Sequence, residues 1–444
     1  VRELVAERCR LPVSMIAAAQ VAELPRLPSG KVDYSALRDY IGKHGRPAAA
    51  ANETIAGVLA AALGRSNLRP SDSFASLGGD SLSYIAAGTG IERLVGDLPD
   101  GWEQMSVAEL TALQDALPAS ARPGTRKFAI DIPVRVWALL LVIMGHAAPD
   151  NTEFLRGGSS ILFALGGYSL ARFQRPMLLE GRAWEAVKGI ALRMVLPYYL
   201  LMIPMLLLAR GIDRGPGWFL LASTYTIDDR GPLFAFWFIE SIFHALLIMA
   251  ALSAIPNIRR FAANRPAASG FALIAFAIAL FAAVPLVWTD PHENPLTVDA
   301  WFYAYAVGWT LYLVKESWQR LLVIAIGVAV AVYDFGAGSA RPMWLLAALV
   351  ALAFLPAIRL PRFLGGVFGA VSGAAYFIYL AHVLVVHVVR FMWAPDLGDP
   401  IMIAIVLAAS VVAGLIGHWV WSRLLALTGA LRRSAPAAPE RGAG

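Results

Sequence analysis

The chain has 444 residues, of which 58% are hydrophobic and only 15% charged, against about 25% charged in a typical soluble protein. That composition excludes a plain cytosolic enzyme, a disordered chain and a dedicated nucleic-acid binder, and the lone Cys9 excludes an internal disulfide framework. The net charge of +6 is explained by where the charges fall, as set out below.

The first ten residues are charged and amphipathic, unlike a signal peptide. The chain begins at Val1 rather than Met, as expected of a fragment or a processed form. Residues 1–127 read as soluble. The first 45 contain Leu11-Pro12-Val13-Ser14-Met15-Ile16, a strand candidate, and Leu24-Pro25-Arg26-Leu27-Pro28-Ser29-Gly30-Lys31-Val32-Asp33, a Pro/Gly turn carrying a lysine. A piece of that size cannot bury enough core to fold alone as an enzyme. Residues 52–65 fit an amphipathic helix with Ile55, Val58, Leu59 and Leu63 on one face. A loop follows with Pro70 and the run Asp72-Ser73-Phe74-Ala75-Ser76-Leu77-Gly78-Gly79-Asp80-Ser81-Leu82. The two glycines suit a tight turn, and a helix begins near Ser81. A last helix fits 106–117, with Ser106 as N-cap and Glu109 completing a capping box. Residues 51–118 carry three basic and nine acidic residues, net −6, a charge that favours reversible docking on basic surfaces.

From Ala129 onward there are ten apolar stretches, each near the roughly 20 residues needed to cross a bilayer. They lie near 129–149, 158–176, 186–209, 233–254, 270–288, 297–314, 318–335, 342–357, 366–390 and 399–426. The segment 217–227 reads as re-entrant or interfacial. With the N-terminus in the cytoplasm, the cytoplasmic loops hold Arg126 and Lys127; Arg172, Arg175, Arg182 and Lys188; Arg259, Arg260 and Arg265; Lys315 and Arg320; Arg359 and Arg362; and Arg432 and Arg433. The opposite loops hold Asp150, Glu153, Asp228, Asp229, Asp290, Glu293, Asp334, Asp396 and Asp399. This is the positive-inside pattern, so the +6 records topology. The Ala/Pro/Arg tail is expected to be disordered.

Ionisable residues inside spans are costly and informative. The first span holds Arg135 and, eleven residues on, His146, so both lie on one helix face about 16 Å apart. A neutral imidazole suits proton abstraction near pH 7, and the planar fork of arginine suits a phosphate. His244, His382, His387 and His418 also fall within spans and read first as packed histidines. No spacing suits a metal site.

Three segments resemble known families. The run Asp72–Leu82 resembles the phosphopantetheine attachment site of peptidyl carrier domains, which implies 4'-phosphopantetheine on Ser81 with Asp80 beside it. A serine opening a helix suits such a phosphate, because the helix dipole favours it. The run Leu24–Asp33 resembles the last motif of nonribosomal peptide adenylation domains, which makes Lys31 the remnant of an adenylation lysine. Residues 126–427 resemble acyltransferase-3 membrane enzymes. The resemblance rests on the arginine and histidine of the first span, on Phe163-Ala164-Leu165-Gly166-Gly167-Tyr168, on Arg193 through Tyr199, on Phe236-Trp237-Phe238-Ile239-Glu240, and on Ser372 through His382. Asp131 stands one residue farther from Arg135 than the family's pattern has it, Gly166 replaces a serine, and the Trp-to-Glu spacing is short. The resemblance implies His146 as base and Arg135 as its cationic partner in catalysis, with Arg193, Glu240 and His382 toward substrate.

The expected fold is mainly α. A small α+β remnant (1–45) precedes a four-helix carrier domain (50–118), a linker (119–127), a ten-helix membrane bundle (128–427) and a disordered tail (428–444). The expected activity is acyl or aminoacyl transfer from a carrier thioester, or from acyl-CoA, to a hydroxyl or amine on a lipid, glycan or metabolite. Expected partners are a loading enzyme or upstream adenylation domain, a phosphopantetheinyl transferase, the acyl acceptor and membrane lipids. The expected location is a bacterial plasma membrane with both termini cytoplasmic. Competing expectations are an exporter of a carrier-made product, which would show inverted repeats, and an inert anchor for a peptide synthetase.

Overall fold

The computed structural model describes residues 54–65, 68–79, 81–96, 98–116, 125–147, 153–208, 215–227, 233, 236–287, 296–389 and 399–434, together with Pro25, Val32 and Asp33. The expected adenylation remnant with Lys31, the residue Asp80 and the last ten residues lie outside these, and Ser81 is described through its backbone.

The soluble module is built from α1 (Ile55–Leu63), α2 (Ser81–Val95) and α3 (Val107–Ala116), with a 3-10 turn at Trp102–Gln104. Among the described residues it therefore has three α-helices rather than four. Thr54 caps α1 by accepting from the Gly57 N–H at 3.0 Å, and Gly64 ends it in the left-handed region at φ 62°. The predicted face of α1 is the buried one: Ile55, Val58, Leu59 and Leu63 all enter the core. The capping box at α3 is reciprocal. The Ser106 N–H donates to Glu109 Oε2 at 2.7 Å, and the Glu109 N–H donates to Ser106 Oγ at 3.2 Å.

A strand, β1 (Thr125–Ala129), pairs antiparallel with β2 (Ala357–Pro361) in the register Lys127 to Arg359. The end of the expected linker is thus tied to a segment more than 200 residues away. The helices between and after these strands are α4 (Asp131–Ala147), α5 (Gly158–Phe173), α6 (Arg175–Leu179), α7 (Ala183–Leu208), α8 (Ser223–Thr226), α9 (Trp237–Ala254), α10 (Pro256–Asn264), α11 (Pro266–Val287), α12 (Val298–Leu313), α13 (Ser317–Phe335), α14 (Ala340–Phe354), α15 (Arg362–Gly373), α16 (Ala375–His387) and α17 (Asp399–Ser434).

Among the described residues every expected apolar stretch is largely helical, and length and composition mark fewer than ten of them as crossings. Among the described residues, five helices are long and apolar enough to span a membrane, and six if α15 and α16 form one span. That pair bends by 72°, so the stretch expected as one straight span near 366–390 is broken. The break falls at Gly373-Ala374, where glycine contributes little helix propensity. At the other end, α17 continues to Ser434 and takes in residues expected to be disordered, since Leu and Ala there are strong helix formers. The segment 217–227 forms a 3-10 turn and α8, with Trp218 buried.

The bundle is organised around α12, which is buried on nearly every face, as expected of a helix apolar all round. It packs closely on α5 because glycines meet at the crossing. A Cβ on Gly167 would stand 1.9 Å from the Tyr305 carbonyl oxygen, and one on Gly308 would stand 1.7 Å from that of Ala164. No side-chain rotation relieves either contact, because the obstacles are backbone. Gly308→Ala or Gly167→Ala is therefore expected to lower the melting temperature in detergent, by about 1–3 kcal/mol or more of stability. Gly338→Ala, whose Cβ meets nothing within 4 Å, is the control.

At α3, the Ser106 N–H and hydroxyl hold the Glu109 carboxyl below its ordinary value. A group depressed in the folded state contributes stability that is lost as pH falls through its lowered value. Amide exchange along α3 is expected to accelerate on that acid side, and Ser106→Ala to accelerate it at neutral pH.

Candidate active site

Helix α4 carries three of the ionisable residues that matter. Asp131 opens it, Arg135 follows one turn later on the same side, and His146 stands at its far end. Asp131 and Arg135 are both buried and face each other at 3.7 Å. Arg135 Nη2 also donates to Ser169 Oγ of α5 at 3.3 Å. The unusual Asp131 spacing thus places a carboxylate against Arg135 through the i, i+4 geometry of the helix.

His146 meets a histidine 236 residues away in sequence. His146 Nδ1 and His382 Nε2 are 3.1 Å apart, and the rings stack with centroids at 5.2 Å. The other nitrogen of His382, Nδ1, faces the Tyr379 carbonyl oxygen one turn back on α16. A carbonyl only accepts, so Nδ1 of His382 must carry a proton. In the neutral ring Nε2 of His382 then accepts, and His146 must donate to it from Nδ1. The chain of bonds leaves the lone pair of His146 on Nε2. His382 is fully buried and locked by its own helix, so it orients His146 and sets its tautomer.

Between the helices lies a largely apolar cavity of about 180 Å³. Its walls include Arg135, Leu139, Ser169, Gln174, Met194 and Tyr379. Tyr379 contacts the His382 ring, with centroids 5.1 Å apart. Leu139 is seven residues short of His146, about 10 Å along the helix. At the other end, the Gln174 side-chain amide donates to the Gly79 carbonyl at 2.5 Å and to that of Gly78 at 3.3 Å. The glycine loop preceding Ser81 therefore sits against a residue of the cavity wall.

Arg193, expected near substrate, instead donates from Nη2 to the Gly78 carbonyl at 3.1 Å. Glu240, expected near substrate, is fully buried on α9. It accepts from Tyr198 at 3.3 Å, Ser223 at 2.7 Å and the Thr224 N–H at 3.2 Å. Those bonds fasten α7 and α8 to α9, an anchoring role. Sequence reasoning missed Arg172 and Gln174. Arg172 read as one of many topology-setting charges, yet its side chain is only 11% exposed and binds Asp131 at 2.9 Å and Glu103 at 2.7 Å. Among the described residues no group of three or more His, Cys, Asp or Glu could hold a metal ion.

These features define a helical membrane protein with a hydrogen-bonded histidine pair and a largely apolar cavity that shares Tyr379 with it. The chain belongs to the acyltransferase-3 family: the family's model, described as an acyltransferase domain, matches residues 132–419. It is a membrane acyltransferase. No curated protein sequence and no solved structure matches the chain.

If His382 sets the tautomer of His146, His382→Ala should slow single-turnover acyl transfer by roughly 100-fold or more. His382→Gln, which keeps an acceptor for the Nδ1 proton, should recover part of that loss.

Proposed function

We propose that the chain transfers an acyl or aminoacyl group from a thioester borne on its own carrier module to a hydroxyl or amine of a lipid, glycan or metabolite. One observation carries this reading: the Gly78-Gly79 loop, just upstream of Ser81, is hydrogen-bonded to Gln174 in the wall of the same cavity that Tyr379, the ring neighbour of His382, also lines. Ser81 opens α2 two residues beyond Gly79, so its backbone stands within about 8 Å of that loop.

The surroundings suit a phosphopantetheine arm. Gln174 and Arg193 hold the loop through its backbone carbonyls, so this contact does not depend on a side chain of the loop. The cavity walls are apolar with few polar groups, which suits a slender amphipathic chain. Such an arm supplies an acyl thioester, which is already activated. His146 Nε2 takes the proton of the acceptor as its oxygen or nitrogen bonds to the acyl carbon, and the same ring returns that proton to the departing sulfur. His382 stabilises the charged His146 ring through the Nδ1 bond. Arg135, at the module end of the cavity, is suited to an anionic group through its fork of donors.

The positive-inside pattern supports a cytoplasmic module, and the family match supports chemistry over transport or simple anchoring. Lys31 and the segment around it are read as the trace of an adenylation domain, and a loading enzyme is the partner that reading requires.

Intact-mass analysis tests the reading. The full chain is treated with a phosphopantetheinyl transferase, a loading enzyme and a panel of acceptors. Wild type should gain the arm, then the acyl mass, then lose the acyl mass to an acceptor. Ser81→Ala should gain neither mass. His146→Ala should load normally and keep its cargo. A His146→Ala chain that discharges at the wild-type rate rejects the mechanism.

A further inference from the structure

We propose that the acidic module and the bundle face beneath it form a dedicated, reversible dock latched by Arg172, Gln174 and Arg193, and that the docked arrangement is the one from which the cargo is discharged. The proposal rests on the carrier reading above and names the partner surface that reading needs.

Three independent kinds of contact meet at this face. The first is charge. Arg172, at the end of α5, donates from Nε to Glu103 of the module at 2.7 Å, from Nη2 to the Tyr84 hydroxyl at 2.9 Å, and from Nη1 to Asp131 of α4 at 2.9 Å. Nearby, Lys127 of β1 meets Asp100 of the module at 2.6 Å. The net −6 of residues 51–118 is thus met by cations of the bundle side. The second is register. Gln174 and Arg193 read the backbone carbonyls of Gly78 and Gly79, which fixes the loop without depending on any cargo. A Cβ on Gly79 would lie 2.3 Å from the Phe74 ring, so the loop keeps a bare backbone there. The third is an apolar seam. Phe173 packs its ring against Phe74 at 5.7 Å and Tyr84 at 5.2 Å, and Phe128 and Ile132 join the module's own core.

The latch is built to open. When the module leaves, Arg172 retains Asp131, and Glu103 passes into water on an otherwise acidic surface. Neither side is left with an unpaired buried charge, the condition that would make separation prohibitive. A module that must visit a loading enzyme and return needs that property. Asp131 also faces Arg135 at 3.7 Å, so the carboxylate that holds the latch is shared with the cavity wall. Arg172, Gln174 and Arg193 act here as positioning residues.

The structure offers a lock for testing this. A Cβ on Gly373 of α15 would stand 4.0 Å from the Ile85 Cβ of α2, within the roughly 3.5–4.5 Å found in disulfides. The experiment uses the full chain with Cys9→Ser, Ile85→Cys and Gly373→Cys. Mild oxidation should close an intramolecular disulfide, read by intact mass and gel mobility on the unloaded chain and needing no activity. Locked while unloaded, the chain should resist the loading enzyme until reduced. Locked after loading, it should still discharge its cargo to an acceptor. Failure of the disulfide to close, or a locked and loaded chain that holds its cargo while the reduced one discharges, overturns the proposal. If the disulfide closes but the reduced chain discharges to no acceptor, the carrier-to-histidine reading fails and with it this assignment of the dock.

Glu103→Gln adds a second arm that leaves Arg172 its pairing with Asp131. It should slow both disulfide closure and discharge by about tenfold, the worth of one charge-assisted hydrogen bond. Closing the disulfide should restore discharge. Slowed discharge that the lock does not restore assigns Glu103 a role in module stability and overturns its place in the latch.

Discussion

A guanidinium at the end of an apolar helix has to find partners, because it cannot give up its proton and cannot stay unpaired once buried. Arg172 finds three, and they belong to different parts of the chain. Glu103 and Tyr84 come from the soluble module, and Asp131 opens the first long apolar helix. Asp131 in turn faces Arg135, so charges alternate from Glu103 through Arg172 and Asp131 to a wall of the cavity. The fork geometry of arginine makes this possible, since one planar group donates in several directions at once. That junction ties the module to the first long apolar helix, while Gln174 and Arg193 set the register of the glycine loop beside it.

The broken helix serves both ends of the site. Up to Gly373, α15 lies against α2 of the module, and after the bend at Ala374, α16 packs on α4 and carries Tyr379 and His382 inward. A straight helix would present one of these faces and lose the other. The histidine pair gains its direction from the backbone: the Tyr379 carbonyl fixes the proton of His382, which fixes that of His146. A low-polarity setting makes such a chain of bonds stronger than it would be in water. The close crossing of α5 and α12, set by Gly167 and Gly308, holds Ser169 and Gln174 where the cavity needs them. Gly166 belongs to the same crossing, with its Cβ position 2.7 Å from the end of the Ile242 side chain and 3.1 Å from the Tyr305 ring.

Several features were legible without coordinates. The apolar stretches were helical, the buried face of α1 was the predicted one, and the Ser106–Glu109 box closed as its spacing required. These are local properties, decided within one or two turns. The acyltransferase-3 motifs led to the right family, with Arg135 and His146 on one helix. Other features were hidden. Arg172 was indistinguishable from the arginines that set topology, because a place at a junction leaves no mark on composition. His382 was singled out by the family resemblance as a residue toward substrate, but its pairing with His146 showed only when its helix was seen against α4. The pairing of residues 125–129 with 357–361 joins two short segments whose compatibility shows only when they meet.

Hydrophobic periodicity, capping chemistry and motif spacing together determined that this chain would be a membrane-embedded helical protein with a small acidic module before it. Only the tertiary structure decided which histidine orients which, where the glycine loop rests, and that the span expected near 366–390 is bent. The reason is physical: a helix forms from neighbours along the chain, whereas a hydrogen bond between residues 236 apart, or a cation shared by two modules, exists only once packing has brought its partners within about 3 Å.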